Sequence, residues 1–260
     1  DESRSEWDGF FDAAGKYKEW SGGKPFGSLD YPMRNVELSA ISNGSDNYES
    51  GDWYNFDDSV FRDSFMQFAD AFTKGHIAIS DLYSNTQVMT GEVPAGLGSS
   101  AAILYYNDTV TYADGTSEPM NLKILPMPQQ NSNKKCITQA GVGLCAYKTT
   151  EQKAEADAVF AKWLTESERN LSFAAETGYM PVTNEAFDKI KDYDFKNDNY
   201  KALYSAFQSS VENCTAVSES QNPEYYNKLI NYYTYLRKIQ KNKALYDGNA
   251  ETLWEKLKTE

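Results

Sequence analysis

Thr149 to Val182 read TTEQKAEADAVFAKWLTESERNLSFAAETGYMPV, and the organisation of the chain follows from this stretch. It predicts two helices in series, closed by a glycine stop and a short extended exit. Thr149 and Gln152 have capping-box spacing, which satisfies leading amides from both ends of the box. Ala156, Val159, Phe160, Trp163 and Leu164 recur at i, i+3, i+4, i+7 and i+8, so one face is apolar. Thr165 and Glu168 repeat the box and restart the helix at a new angle. Gly178 occupies the left-handed position after the second helix, and Pro181 prevents continuation. By periodicity alone this is a helical hairpin within a large domain.

Two other stretches carry comparable information. Ser5 to Tyr17, SEWDGFFDAAGKY, predicts a helix running to Trp20, with Ser5 and Asp8 as its capping box. Trp7, Phe10, Phe11, Ala14 and Tyr17 share its apolar face. Thr90 to Tyr106, TGEVPAGLGSSAAILYY, predicts a short strand, a tight turn at Gly98, and a helix capped by Ser99 or Ser100.

Together these stretches resemble the extracellular solute-binding proteins of ABC importers, the large sugar-binding family that includes maltose-binding protein. The family pattern has a helix ending in a Trp/Phe-Leu pair, a T-x-S/D-E restart, an F-A helix and a T-G-Y-x-P-V exit. Trp163-Leu164, Thr165 to Glu168, Phe173-Ala174 and Thr177 to Val182 match these in turn. The N-terminal SEWDGFF helix is similar to a family helix that normally follows most of the first lobe. The expectation is therefore a partial chain, without the first strands and one wall of the ligand cleft. The resemblance implies an α/β, periplasmic-binding-protein-like (type II) fold dominated by its helix-rich second lobe. Residues 1–130 would form the first segment of that lobe, 131–150 crossing strands between lobes, and 151–260 a helical segment packed on the second lobe.

Composition bounds the function. A net charge of −13 repels phosphates and argues against nucleic acid. The 19 tyrosines suit both a core and a sugar-binding face, through ring and hydroxyl together. His76 is the sole histidine, which excludes most His-based metal centres and any triad not built on that residue. No P-loop, GxSxG, HExxH or GxGxxG occurs. Asp192, Asp194, Asn197 and Asp198 lack EF-hand spacing and read as a solvated loop. Neither cofactor nor metal is expected. Cys136, Cys145 and Cys214 form no CxxC; Cys136 and Cys145 pair across a hairpin or remain buried free thiols.

The intervening segments complete the pattern. A helix is expected over Tyr31 to Ile41 with Pro32 in its first turn, and another is started by Asp57 and stopped before Gly75. Asp114-Gly115 marks a hairpin, Leu122 to Met127 a β-like run, and Ile137 to Tyr147 a glycine-containing strand pair. Beyond Val182 the chain is helical. Tyr200, Leu203, Tyr204, Phe207 and Val211 form one stripe, and Tyr226, Leu229, Ile230, Tyr233 and Leu236 another. Asn249 caps a last turn that carries Leu253, Trp254 and Leu257.

Candidate ligand-binding residues are Ser99 and Ser100 at a helix start, Gln139 and Gly141 in the crossing strands, and Tyr179 on the exit after Gly178. The resemblance implies a non-enzymatic monomer that closes around a carbohydrate-type solute and delivers it to a membrane permease. It also implies an extracellular or periplasmic location with a lipid anchor on the full-length protein. Two other readings stand beside it: a glycoside hydrolase-like fragment, which needs two facing carboxylates, and a surface interaction module without a small ligand.

Overall fold

The computed structural model describes residues 5–131, 133–147, 149–220, 222–242, 245 and 247–260, with Glu49 described through its backbone only. Ser132 and Lys148, within the expected crossing segment, lie outside the described residues.

Helix α1 (Trp7–Trp20) starts at Glu6, which provides no side-chain cap, so the expected Ser5 box does not form. Trp7 instead anchors the helix from below: its backbone N–H donates to Gln129 O, and its ring stacks on Phe11 at 5.4 Å. Strand β1 (Gly27–Leu29) leads into α2 (Pro32–Ser42), a short α3 (Asn47–Ser50) and α4 (Ser59–Thr73). Asp58, one residue later than expected, caps α4 by accepting from Val60 N at 2.8 Å. Strand β2 (Ile77–Ala78), helix α5 (Ser84–Met89) and strand β3 (Ala95–Leu97) follow. The three strands form a parallel sheet in the order β2-β1-β3.

Beyond β3, Ser99 caps a 3₁₀ helix (Ser100–Tyr105) where an α-helix was expected. Strands β4 (Thr109–Thr111) and β5 (Ser117–Pro119) make the hairpin turned by Asp114-Gly115. The β-like run Leu122 to Met127 forms no strand. In the expected strand pair only β6 (Cys136–Gln139) is regular. Its partner is β7 (Thr215–Ser218), far along the chain and parallel to it. Ala140 to Tyr147 are exposed, and Gly141 and Gly143 have nothing packed near them. Glycine adds no packing that offsets the entropy of ordering a strand there.

Helices α6 (Glu151–Leu164), α7 (Ser167–Thr177), α8 (Asn184–Lys189) and α9 (Asp198–Asn213) come next, with a 3₁₀ turn after α8. Thr150 caps α6 through Lys153 N, one position later than the expected box. The second box is absent: Glu166 precedes α7 without a side-chain cap, and the Thr165 hydroxyl donates back to Ala161 O at 2.9 Å. Gly178 is left-handed at φ 75°, as expected of a helix stop. Helix α10 (Pro223–Lys241), opened by Asn222, and α11 (Ala250–Leu257), capped by Asn249, close the chain.

The main core lies between α1, α2, α4, α10 and α11 and buries Trp7, Phe61, Phe65, Leu229, Ile239 and Trp254. Helix α10 is rotated slightly from the expected face: Tyr225 and Tyr232 are buried with Leu229, Tyr233 and Leu236, while Tyr226 is exposed. A smaller core joins Leu38 and Ile41 of α2 to Cys136 and Val217 beneath the β6–β7 sheet. Two others hold α7 to α9 together around Tyr204 and around Leu203 with Ile103. All three thiols are free, Cys136 buried but Cys145 exposed, so the Cys136–Cys145 disulfide is not formed.

Candidate functional site

In an open parallel sheet the ligand crevice lies outside the carboxyl ends of the strands, where the strand order reverses. Here the chain passes from central β1 to β2 on one side and returns to β3 on the other, so the reversal falls between β1 and β3. The residue leaving β1 is Asp30, and its backbone N–H donates to Leu97 O at the end of β3. Its carboxylate accepts from Ser84 N at 2.9 Å and the Ser84 hydroxyl at 3.2 Å. Half-burial raises the Asp30 pKa, while the Ser84 bonds and the Arg237 charge oppose the rise. A Cβ on Gly98 would stand 2.6 Å from Asp30 Oδ2, so any side chain there pushes the carboxylate aside.

Tyr31, next to Asp30, caps α2 at φ 50°, a left-handed backbone that a non-glycine residue adopts at a cost of roughly 1–2 kcal/mol. The strained residue aims its ring at Tyr233 of α10, with centroids 5.5 Å apart. The Arg34 guanidinium lies 4.6 Å over the Tyr31 ring, and that of Arg237 3.9 Å over Tyr233. Both cations are also held by acids, Arg34 by Glu219 and Arg237 by Asp81 at 3.8 Å. Tyr83 stands near enough to Tyr31 to help raise its pKa, yet is 62 % exposed, and Tyr226 is 53 % exposed. Burial pushes the Tyr106 phenol up to about 12, with the Asp30 charge adding to it. The rim thus offers exposed rings, phenol hydroxyls and a half-buried carboxyl, a set suited to a polyhydroxylated molecule.

The sequence candidates fall around this rim unevenly. Ser99 is exposed at the exit of β3, its Oγ accepting from Ala101 N at 3.2 Å; Ser100 is half-buried beside it. Gly178 packs beneath that turn, where a Cβ would lie 2.8 Å from Ser100 O. Tyr179 is therefore delivered to the same neighbourhood. Its ring stacks on Phe173 at 6.3 Å and stays 39 % exposed, and its carbonyl accepts from the Tyr204 hydroxyl at 2.8 Å. Gln139 ends β6 opposite Ser218, the residue before Glu219, so it approaches the rim from the other side of α2. Gly141 lies beyond it in open space and meets none of these groups.

Asp30, Tyr31, Tyr83 and Tyr106 were not singled out from the sequence as site residues, and Tyr226 was expected in the apolar stripe of α10. A usable signal was present, an Asp-Tyr pair between a β-like GSL and the proline of a helix start. His76 lies against Gly15, a Cβ there being 3.2 Å from its Cε1, and burial with Lys18 and Lys74 lowers its pKa. No cluster of His, Cys, Asp or Glu suited to a metal ion occurs among the described residues. No helix among them is long and apolar enough to cross a membrane.

Solved structures share this fold. A cyclic alpha-maltosyl-1,6-maltose binding protein from Arthrobacter globiformis matches with a TM-score of 0.61 and 14% identity, over 98% of this chain and 65% of its own. A Streptococcus pneumoniae solute-binding protein in complex with the blood group A-trisaccharide matches at 0.61 and 14%, over 89% of this chain and 58% of its own. UgpB from Mycobacterium tuberculosis in complex with glycerophosphocholine matches at 0.63 and 13%, over 98% and 62%. The chain thus spans less than two thirds of each, and the fold is the α/β, helix-rich, type II periplasmic-binding-protein-like one. No curated protein sequence is significantly similar to it. The family model described as bacterial extracellular solute-binding protein covers residues 5–202, and the chain belongs to that family.

Proposed function

We propose that this chain is the larger part of a carbohydrate-type receptor of an ABC importer, which holds its solute at the carboxyl edge of the β2-β1-β3 sheet and delivers it to the permease. The observation that carries the reading is the Asp30 carboxylate held by Ser84, with their respective chain neighbours Tyr31 and Tyr83, at the strand-order reversal. Asp30 accepts from solute hydroxyls, while Tyr83 and Tyr226 supply ring faces. Ser99, Ser100 and Tyr179 extend the wall on the β3 side, and Gln139 borders it beyond Glu219. The solute is a neutral saccharide rather than an anion, because Arg34 and Arg237 are already bonded to Glu219 and Asp81 and the chain carries −13. The protein acts by binding alone, as a monomer, with a lipid anchor on the full-length form.

The opposite wall belongs to the portion of the relatives' fold for which this chain has no counterpart. The seat we assign to it is the apolar face of α6, where Val159, Phe160 and Trp163 are 65 %, 52 % and 49 % exposed. Helix α6 lies inside the shared fold, since two relatives align with 98% of this chain. With one wall only, this chain binds weakly.

Calorimetry with maltooligosaccharides, the blood group A-trisaccharide and glycerophosphocholine tests the reading. A saccharide is expected to bind, with at least tenfold weaker affinity in both Asp30→Asn and Tyr83→Ala. Binding of the phosphodiester alone, or saccharide affinity unchanged in both variants, overturns it.

A further inference from the structure

The binding rim makes no use of the one acid of α2. Glu37 is 5 % exposed, one helical turn along from Arg34. Its Oε2 accepts from the Tyr225 hydroxyl of α10 at 2.8 Å. The buried Tyr54 hydroxyl faces the same carboxyl from the segment before α4 and favours its ionised form, although neither it nor Oε1 reaches hydrogen-bond geometry among the described residues. Against the carboxyl lies a cavity of about 10 Å³, lined by Glu37, Trp53, Thr138, Ser218, Glu219 and Tyr225. That is about the space one water molecule needs. Its wall includes Glu219, which is only partly buried, so a proton has a route between Glu37 and the rim.

The charged and titratable groups acting on Glu37 come from each side. Arg34 on its own helix favours ionisation, as do the Tyr54 and Tyr225 hydroxyls, while Glu219 at the exit of β7 opposes it. Arg34 is also the partner of Glu219. The guanidinium bonded to Glu219 thus starts from the helix position one turn before Glu37, and its charge favours both carboxylates. With Glu37 neutral, Arg34 belongs to Glu219 and ties the exit of β7 to the start of α2. An ionised Glu37 competes for the same cation, because a buried charge without a partner is costly.

We propose that Glu37 is a proton-operated latch: protonated, it leaves Arg34 bonded to Glu219 and the β7–α2 seam closed; ionised, it draws Arg34 inward and loosens that seam. Burial raises its pKa to about 8, so the latch works just above neutral pH. Trp53, whose ring lies 4.7 Å from that of Tyr225 and lines the cavity, reports the step. An effect on solute affinity would rest on the rim being the solute site; the latch itself does not, and its test uses no solute.

The test is a titration of tryptophan emission in the intact chain between pH 6 and 9, about one unit short of the ordinary tyrosine pKa of ~10. The wild type is expected to show a one-proton transition with a midpoint near 8, and Glu37→Gln to abolish it. Glu219→Gln removes the opposing charge and releases Arg34, so the midpoint is expected to fall by at least one pH unit. A wild type with no transition, a transition that survives Glu37→Gln, or a midpoint unmoved by Glu219→Gln overturns the latch. Should Glu37→Gln fail to fold, the Glu219→Gln shift decides alone.

Discussion

Helices α4 and α6 are nearly equal in length, 15 and 14 residues, and both carry an apolar stripe at helical spacing. They end in opposite conditions. Helix α4 buries Phe61, Phe65, Phe68, Ala69 and Phe72 between α1, α2 and α11, and Trp254 alone meets Phe61 and Phe65 with ring centroids 5.8 and 5.1 Å apart. None of the residues of α6 is buried. Its stacked Phe160–Trp163 pair and the Arg169 guanidinium 4.3 Å over Trp163 are all that its apolar face touches in the ring contacts. Periodicity states which face of a helix seeks cover; it carries no information on whether a cover is at hand.

The largest expected difference follows directly. Phe65→Ala removes a fully enclosed ring and should lower unfolding stability by ~3–5 kcal/mol. Urea denaturation measures this, and a loss under 1 kcal/mol would mean that the α4 core is not the stabilising one. Next comes the joint between the two regions. Gly178→Ala has to hold a positive φ and place its Cβ against the Ser100 carbonyl, so it should cost ~1–3 kcal/mol. A neutral outcome would detach α7 from the 3₁₀ helix after β3.

The main core also predicts a pH dependence that the α6 region does not share. The Glu37 carboxyl titrates at a higher pH folded than unfolded, so between the two pKa values the folded protein binds more protons. Its stability is then highest below the ordinary carboxylate range and falls as pH rises to about 8. Melting at pH 8 should lie about 4 °C or more below that at pH 5.5, equivalent to ~1–2 kcal/mol at this chain length. Glu37→Gln should shrink the difference between the two pH values; an equal difference would exclude Glu37 as its source. The smallest effect belongs to α6. Trp163→Ala should change the stability of this chain by ~0.5 kcal/mol or less, as for a surface site. A loss like that of Phe65→Ala would show that the α6 face is already covered, for instance by a second copy of the chain.

The caps show how far local chemistry can be read. Asn249 before α11 was placed correctly because its side chain bonds amides two and three residues on, at 2.8 and 3.3 Å. The two boxes at Thr149 and Thr165 each had an equally local competitor. Thr150 is the adjacent hydroxyl, and Ala161 O, which already accepts from Thr165 N, takes the Thr165 hydroxyl as well. The β6–β7 pair was out of reach for another reason. Its strands are four residues each and join segments on either side of α6 to α9, so neither half shows its partner.

For the candidate site, residue types were legible but their convergence was not. Ser99 announced a helix start and Gly178 a helix stop, and both are so, because backbone conformation there depends on a few neighbouring atoms. Asp30, Tyr83 and Tyr233 are distant in sequence and meet only because β1 and β3 are neighbours and α10 packs beside α2. By itself the sequence determined the long helices, the stop at Gly178, the hairpin at Asp114-Gly115 and the family resemblance, all of which depend on short-range periodicity and spacing. The tertiary structure alone decided which apolar stripe is buried, which strands pair, and that a strained Tyr31 and a buried Glu37 stand on either side of Arg34. Burial and charge are set by every element packed around a residue, and local sequence does not contain those neighbours.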